Sequence, residues 1–163
     1  MIRAWRLARR AHSDPPATKA FSGYGSELYG SRWNSPGLPA AFASSTRSLC
    51  VLEYLVHVDP DLLPDDLAFS HITFAESQVE RIARLPQGWD EEGSALAAAY
   101  GDAWLREQRS LVLEVPSVVV RDEVNYIVNP RHADFTALEI APSLEDFVFD
   151  ERLFKIRSSG GAA

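Results

Sequence analysis

The alternation of apolar and polar residues predicts several short strands in the N-terminal half of the chain. Residues 2–7 alternate apolar with basic side chains, as in a strand that buries one face. Residues 40–43 form a short apolar run, and residues 67–74 form a longer apolar segment, so we expect a strand in each. Residues 8–29 are rich in Gly, Ser and Pro and lack periodicity, which indicates a long loop.

Two stretches have the spacing of amphipathic helices. In the first, Ser44 or Ser45 offers an N-cap, and the helix is expected to run to about residue 57. Its apolar stripe consists of Leu49, Leu52 and Val56. The second helix is predicted over residues 94–108, with Ser94 as its N-cap and an alanine-rich body.

The C-terminal half contains more β-branched runs than helical patterns. We expect strands at residues 111–115 and 118–121, separated by a kink at Pro116. Further short strands are predicted at residues 126–128, 136–140 and 146–149, whereas residues 79–85 suit either a strand or a short helix. Because strands outnumber helices and do not alternate regularly with them, the pattern predicts an α+β fold rather than a parallel doubly wound sheet.

Length, charge and cysteine content narrow the class of protein. The chain has 163 residues, which suits one compact domain, here expected over residues 1–157 with a disordered tail at 158–163. Sixteen basic and 23 acidic residues leave a net charge of −7, which argues against nucleic acid as a direct partner. A single cysteine, Cys50, excludes an internal disulfide, and no apolar run approaches the roughly 20 residues that span a membrane. We therefore expect a cytoplasmic protein.

The segment Tyr29-Gly30-Ser31-Arg32-Trp33-Asn34-Ser35-Pro36-Gly37 stands out because it places a cation and an indole among turn-forming residues. The guanidinium of Arg32 matches phosphate or carboxylate groups at two points, and Trp33 offers a flat apolar wall for a ring. This segment therefore predicts an anion-binding loop. The alternative is a surface loop in which Arg32 is solvated and Trp33 is tucked against the core.

Glu53 is the second unusual residue, because the helical period puts it at the edge of the apolar stripe. A carboxylate in that position must be paired, hydrated in a cleft or protonated. Either it forms an ion pair with a buried cation, or it points into a pocket, where it would complement Arg32. His57 follows four residues later, but two ligands without a third make a poor metal site, so we predict none.

Four further polar residues lie near proline turns. Ser117 follows Pro116 between two predicted strands, so it either occupies a bulge or faces a cleft. Asn125, Asn129 and His132 are expected to cap turns around Pro130. The chain has no nucleophile elbow, phosphate-binding glycine loop or paired-histidine motif, which leaves serine hydrolases, P-loop enzymes and zinc proteases without support.

The order and spacing of several motifs resemble the RES-domain family, which is named for its characteristic Arg, Glu and Ser. The motifs are Gly23-Tyr24-Gly25, Leu28-Tyr29-Gly30-Ser31-Arg32-Trp33-Asn34, Phe42-Ala43-Ser44, Leu52-Glu53-Tyr54-Leu55-Val56-His57, Val115-Pro116-Ser117, and Asn125-Tyr126-Ile127-Val128-Asn129-Pro130-Arg131-His132. The resemblance implies a fold similar to ADP-ribosyltransferase toxins and a toxin role beside an Xre-type helix-turn-helix antitoxin. It also implies depletion of NAD, as a substrate rather than a bound cofactor, and allows a homodimer.

By this resemblance Arg32 and Glu53 correspond to the family arginine and glutamate, and Ser117 matches the serine better than Ser110 does. The resemblance thereby implies Arg32, Glu53 and Ser117 as catalytic residues. It implies an NAD-binding set of Tyr29, Arg32, Trp33, Phe42 and Ser117. Arg32 would clamp the pyrophosphate, Glu53 would act at the ribose, and Ser117 would hold the nicotinamide ribose.

Two residues depart from the family pattern. Ser31 replaces the second of two glycines, which is tolerable if its backbone angles are ordinary, and Phe42 replaces a frequent tyrosine. The acceptor of the ADP-ribose group stays open, since water, phosphate or a protein side chain would each serve. The alternatives are a mono-ADP-ribosyltransferase that modifies a cellular protein, or a non-catalytic binding domain in which Arg32 and Glu53 pair with each other.

Overall fold

The strands of the protein form one mixed β-sheet in the part of the chain that the structure describes. The computed structural model describes residues 1–59 and 62–154, and in these residues it contains an eight-stranded sheet and three α-helices. The strands are β1 (Ile2–Arg9), β2 (Ala41–Ser44), β3 (Leu67–Phe74), β4 (Val79–Arg81), β5 (Val112–Pro116), β6 (Val124–Val128), β7 (Glu139–Ile140) and β8 (Glu145–Phe147). The helices are α1 (Tyr24–Tyr29), α2 (Arg47–Leu55) and α3 (Ala95–Glu107). This architecture confirms the predicted single α+β domain of short strands and few helices.

The sheet opens in its middle, between β1 and β2. Its strand order is β4-β5-β6-β2-β1-β3-β7, with β8 also paired to β3, and only β4 and β5 are parallel. Strands β1 and β3 pair along their whole length, from Ile2 opposite Phe74 to Arg9 opposite Leu67. In contrast, β1 meets β2 at one position, Trp5 opposite Ser44. The two halves of the sheet therefore diverge there, which leaves space for a cleft.

Helix α3 covers one face of the β5–β6 half and supports the loop that precedes β2. Its Trp104 is fully buried against Leu113 and Ile127, and burial of such a side chain stabilises the fold by on the order of 4–6 kcal/mol. A Cβ on Gly101 would lie 1.8 Å from the carbonyl oxygen of Trp33. Glycine is thus required in mid-helix, where it permits direct contact between α3 and the Arg32–Trp33 loop.

Helix α2 differs from its prediction at both ends. Its N-cap is Thr46, whose hydroxyl accepts a hydrogen bond from Leu49 N at 3.0 Å, rather than Ser44 or Ser45. The helix ends at Leu55, two residues before the predicted end. Ser44 belongs to β2 instead, where its side chain is buried between strands.

The predicted apolar stripe of α2 was wrong in two of its three members. Leu49 is buried as expected, but Leu52 is 41% exposed and Val56 is 57% exposed. The inward face is formed by Leu49 and Cys50 and continues through Glu53. Apolar residues occur on two faces of this helix, so the period alone could not tell which of them packs on the sheet.

Most other elements follow the sequence pattern. The strands predicted at 2–7, 40–43, 67–74 and 126–128 and the helix at 94–108 are confirmed within two residues at each end. Strand β1 continues to Arg9, and the rest of the predicted loop at residues 8–29 contains no strand but includes α1, which the pattern missed. Residues 118–121 form a turn rather than a strand, and Ala133–Ala137 is a 3₁₀ helix where part of a strand was predicted. The predicted boundary at 157 and the tail at 158–163 lie outside the described residues.

Candidate active site

A cleft of about 1390 Å³ occupies the gap between β1 and β2. Its floor comes from these two strands, and its walls come from α1, the Arg32–Trp33 loop, α2, the turn after β5 and residues 90–93. The volume exceeds the roughly 300–1,000 Å³ of pockets for drug-sized ligands, so the cleft has room for a larger molecule. None of the described helices is long and apolar enough to cross a bilayer.

Glu53 projects from α2 into this cleft with its carboxylate oriented by two neutral donors. Its Oε1 accepts hydrogen bonds from Ser117 Oγ at 2.7 Å and from Asn125 Nδ2 at 2.6 Å. Within residues 1–59 and 62–154, Glu53 forms no ion pair, and its Oε2 accepts no hydrogen bond from the protein. The arrangement therefore agrees with the cleft interpretation of Glu53 and leaves one carboxylate oxygen for a ligand.

The hydroxyl of Ser117 is hydrogen-bonded within the protein. Its hydroxyl donates to Glu53 and accepts hydrogen bonds from Val119 N and Val120 N, at 3.1 and 2.9 Å. The residue is 3% exposed and does not line the cavity. Its predicted contact with a ribose stays a prediction, whereas its contact with Glu53 is observed.

The alternative serine, Ser110, lies elsewhere. Its hydroxyl accepts a hydrogen bond from the indole N–H of Trp104 and donates to the carbonyl of Val112, both at 2.8 Å. Of the two serines, therefore, Ser117 is the one placed beside Glu53.

Asn125 is a site residue that the sequence pattern assigned wrongly to a turn. It lies in β6 opposite Ser44 of β2, lines the cleft, and accepts a hydrogen bond from Ser44 Oγ at 2.7 Å. Asn129 and His132 do cap neighbouring backbone groups, as predicted. The signal that separates Asn125 from them is its place within a β-branched run, where a polar side chain points to one face of the sheet.

Arg32 and Trp33 contact a second loop, which contains Trp89 and Glu91, at the wall of the cleft. Arg32 is half-buried, and its Nη1 donates to the carbonyls of Trp89, at 3.0 Å, and Glu91. The indole of Trp33 is 3% exposed and stacks on that of Trp89, with 6.2 Å between ring centroids. Arg32 Nε and Nη2 donate to no atom of the described residues, so the guanidinium is anchored on one side and open on the other.

The neighbours of Arg32 explain why the loop tolerates its unusual sequence. Gly30 has φ of 72°, and a Cβ there would lie 2.9 Å from Asn34 O, so glycine is required. The φ angle of Ser31 is not positive, and its hydroxyl accepts a hydrogen bond from Trp33 N at 3.1 Å. The expectation that a serine fits this position is confirmed. Tyr29, 84% exposed, and the half-buried Phe42 both border the cleft.

Arg6 lines the cleft, but the sequence pattern did not identify it as a candidate site residue. It lies on the floor of the cleft, donates from Nη1 to the carbonyl of Phe42 at 2.9 Å, and has a buried Nε without a partner among the described residues. No carboxylate in that part of the chain pairs with it, and burial lowers the pKa of its guanidinium. An arginine nevertheless stays charged, so Arg6 is an uncompensated cation facing the cavity.

The alternation of β1 contained the signal for Arg6. Arg3 and Arg9 point to one face of the strand and are exposed, whereas Arg6 shares the opposite face with Ala4 and Ala8. A single arginine among small apolar residues on an inward face is unusual enough to mark a candidate site.

Cys50 borders the same cleft, and its ionisation should affect stability at high pH. Burial raises the pKa of this thiol to about 11, above the roughly 8.5 of a solvated cysteine. The native state therefore holds the thiol proton more tightly, which contributes stability that is fully present below about pH 8.5. We expect about 3 kcal/mol of that contribution to be lost as the pH rises to about 11.

Urea unfolding of wild type and Cys50→Ala between pH 8 and pH 11 measures this loss. Residues that titrate in both proteins, such as tyrosines, cancel in the comparison. The difference in unfolding free energy between the two proteins should shrink with rising pH. A constant difference would contradict the assigned pKa shift.

The fold has a relative among solved structures. A chain in the crystal structure of the M. tuberculosis MbcT–MbcA toxin–antitoxin complex superposes with a TM-score of 0.64. The alignment covers 90% of this chain and 84% of that chain at 16% sequence identity. At this identity, the similarity establishes the fold alone.

Sequence comparisons identify the family. A relative named Toxin Res from Photorhabdus laumondii subsp. laumondii is 36% identical over 94% of this chain and 97% of its own length. Another Toxin Res, from Yersinia enterocolitica, is 34% identical over 82% and 90%. The Prs ADP-ribosylating toxin of Sphingobium sp. is 32% identical over 93% and 96%. The profile of the RES domain matches residues 3–150, and the chain therefore belongs to the RES domain family.

Proposed function

We propose that this protein is the toxin of a bacterial toxin–antitoxin system and depletes NAD by cleaving the nicotinamide–ribose bond. The observation that carries the proposal is that Arg6, Arg32 and Glu53 line a single cleft of about 1390 Å³. NAD presents an anionic pyrophosphate and a cationic nicotinamide ribose, which are the complements of these charges. Family membership and the toxin names of the relatives support the toxin role.

The two arginines would both bind the pyrophosphate. Arg32 is anchored through Nη1 and offers Nε and Nη2, while Arg6 is anchored to Phe42 O and lines the floor of the same cleft. Charge-assisted hydrogen bonds from preoriented guanidinium groups are stronger than those from neutral donors. Because both side chains are held before the ligand arrives, binding would cost little side-chain entropy.

The aromatic residues at the rim would hold the nicotinamide ring. Tyr29 and Phe42 border the cleft, and the faces of such rings favour a positively charged heterocycle. Trp33 also borders the cleft, but its indole is buried, so it would support the wall through its stack on Trp89. The proposed aromatic contacts with NAD thus rest mainly on Tyr29 and Phe42.

Glu53 would act at the anomeric carbon of the ribose. As the bond from this carbon to the pyridinium nitrogen breaks, its electron pair neutralises the ring, and nicotinamide leaves without needing a proton. Oxocarbenium character develops on the ribose, and the open Oε2 of Glu53 would stabilise it or orient a ribose hydroxyl. Water then adds to the anomeric carbon and loses a proton, which yields ADP-ribose. Phosphate in its place yields the phosphorylated sugar.

A protein acceptor is the second candidate, because one relative is named Prs ADP-ribosylating toxin. In that case the same cleavage would transfer ADP-ribose to a side chain of a cellular protein. The third alternative, a binding domain with Arg32 paired to Glu53, lacks support, since no such pair occurs among the described residues. We favour hydrolysis or phosphorolysis, because the described residues form one domain around the cleft, without a separate region for recognising a protein substrate.

Incubation of the purified protein with NAD tests the proposal. Nicotinamide release should occur, and parallel reactions with water alone, with phosphate, and with a bacterial extract and labelled NAD identify the acceptor. We expect Arg32→Ala to lower kcat/KM by about 10- to 100-fold through loss of charged hydrogen bonds. Arg106→Ala, which removes an exposed arginine of α3 outside the cleft, is the control. No nicotinamide release under any condition would contradict the enzymatic proposal.

We further propose an Xre-type helix-turn-helix antitoxin as the partner and the cytoplasm as the compartment. The fold relative comes from a toxin–antitoxin complex, which supports an antitoxin partner. An antitoxin segment that covers the cleft would neutralise the activity, and expression without it should arrest growth. A homodimer is compatible with the proposal, and analytical ultracentrifugation of the purified protein distinguishes it from a monomer.

A further inference from the structure

A chain of polar side chains connects β2 with Glu53. Ser44 Oγ donates to Asn125 Oδ1, and Asn125 Nδ2 donates to Glu53 Oε1, at 2.7 and 2.6 Å. Ser117, at the end of β5, donates to the same carboxylate oxygen. Two sheet strands therefore converge on one oxygen of a residue that projects from α2.

The direction of every hydrogen bond in this chain is determined by chemistry. An ionised carboxylate only accepts, so Asn125 must present its NH₂ group to Glu53. The carbonyl oxygen of the amide then faces Ser44, whose hydroxyl must donate. Because Ser44 is buried and lies opposite Asn125 in the β2–β6 register, the amide cannot rotate without losing this bond.

We propose that Asn125 is a positioning residue that holds the Glu53 carboxylate in its reactive orientation, an inference that rests on the proposed function of Glu53. Together with Ser117 it immobilises Oε1 and leaves Oε2 directed to the ligand. Preoriented charges stabilise a developing cation without reorganising during the reaction. Asn125 therefore acts on the rate of bond cleavage rather than on the affinity for NAD.

A purely structural role for Asn125 makes a different prediction. If the residue only tied α2 to the sheet, its loss would lower the melting temperature and leave kcat of the folded protein unchanged. If Asn125 positions Glu53, its loss lowers kcat and leaves KM nearly unchanged. This effect disappears in a protein whose Glu53 no longer acts. The two roles are therefore separable by kinetics.

The experiment measures kcat and KM for nicotinamide release, with melting temperatures, in Asn125→Ala, Asn125→Asp, Glu53→Gln and the Asn125→Ala/Glu53→Gln double variant. We expect Asn125→Ala to lower kcat by about 10- to 100-fold, with KM changed by less than about threefold. Asn125→Asp keeps the size of the side chain but places a second carboxylate next to that of Glu53. The kcat of this variant should therefore fall at least as far as that of Asn125→Ala. In the double variant, Asn125→Ala should have no further effect.

His132→Ala is the matched control, because it removes a polar cap outside the Glu53 network. Wild-type kcat in folded Asn125→Ala, together with an inactive Glu53→Gln, would overturn the positioning role while preserving the proposed function. Wild-type activity in Glu53→Gln would remove Glu53 from the reaction and overturn the positioning role with it, whereas no nicotinamide release by the wild-type protein would overturn the proposed function itself. If Asn125→Ala does not fold, Ser44→Ala decides instead. That variant frees the amide and should lower kcat by about 3- to 10-fold, and an unchanged kcat overturns the inference.

Discussion

Glu53→Gln is expected to reduce kcat for nicotinamide release by roughly 10²- to 10³-fold, the size of effect seen when one preorganised electrostatic group is removed from an active site. Glutamine keeps the volume of the side chain and an oxygen that accepts the bonds from Ser117 and Asn125. The fold should therefore survive, with a melting temperature close to that of wild type. What disappears is the negative charge on the open side of the carboxylate.

Kinetics of nicotinamide release and expression without an antitoxin measure this effect independently. The Glu53→Gln protein should no longer arrest growth, although it accumulates to the wild-type level. Glu123→Gln provides the matched control, since Glu123 is a partly exposed carboxylate that bonds Thr46 and does not line the cleft. Equal release rates in Glu53→Gln and wild type would rule out a chemical role for Glu53.

Arg6→Ala is expected to weaken NAD binding by about 100-fold without destabilising the free protein. Arg6 is a cation at the cleft floor whose buried Nε lacks a partner among the described residues, so the free protein bears an uncompensated desolvation cost. Removal of the side chain relieves that cost and loses one hydrogen bond, to the carbonyl of Phe42. We therefore expect the unfolding free energy to rise, or to fall by no more than about 1 kcal/mol.

Thermal melts with and without NAD separate these two effects. Wild type should gain stability with NAD, whereas Arg6→Ala should gain little at the same concentration. Arg6→Lys restores the charge but not the two-point geometry, so it should recover affinity only in part. Arg3→Ala, which removes an exposed arginine from the other face of β1, should behave as wild type. An unchanged NAD affinity in Arg6→Ala would remove Arg6 from the binding site.

The elements that the sequence predicted well are those with one unambiguous pattern. The strand at residues 2–7 alternates and the strand at residues 67–74 is mostly apolar, and α3 has both a clear N-cap and a buried face. Helix α2 was harder because Leu52 and Val56 compete with Cys50 for the inward face, and the periodicity of a short helix cannot choose between them. Which face of α2 is buried depends on how the helix packs on the sheet.

The candidate site, too, was predicted from the sequence in part, and the rest of it depended on the fold. The order of motifs along the chain brought Arg32, Glu53 and Ser117 together through a family resemblance. Their geometry depended on contacts between residues far apart in sequence. In the folded protein, Ser117 is buried and donates a hydrogen bond to Glu53. Arg32 donates a hydrogen bond to the carbonyl of Trp89 in a neighbouring loop.

By itself, the sequence determined the α+β class, the positions of the strongest strands and helices, and the family to which the chain belongs. Each of these depends on local periodicity or on ordered motifs, which are properties of the chain before it folds. Only the tertiary structure decided that Arg6 and Asn125 line the cleft. Both lie in strands whose neighbours across the sheet are set by long-range pairing, and a side chain's partners there cannot be read from residues nearby in sequence.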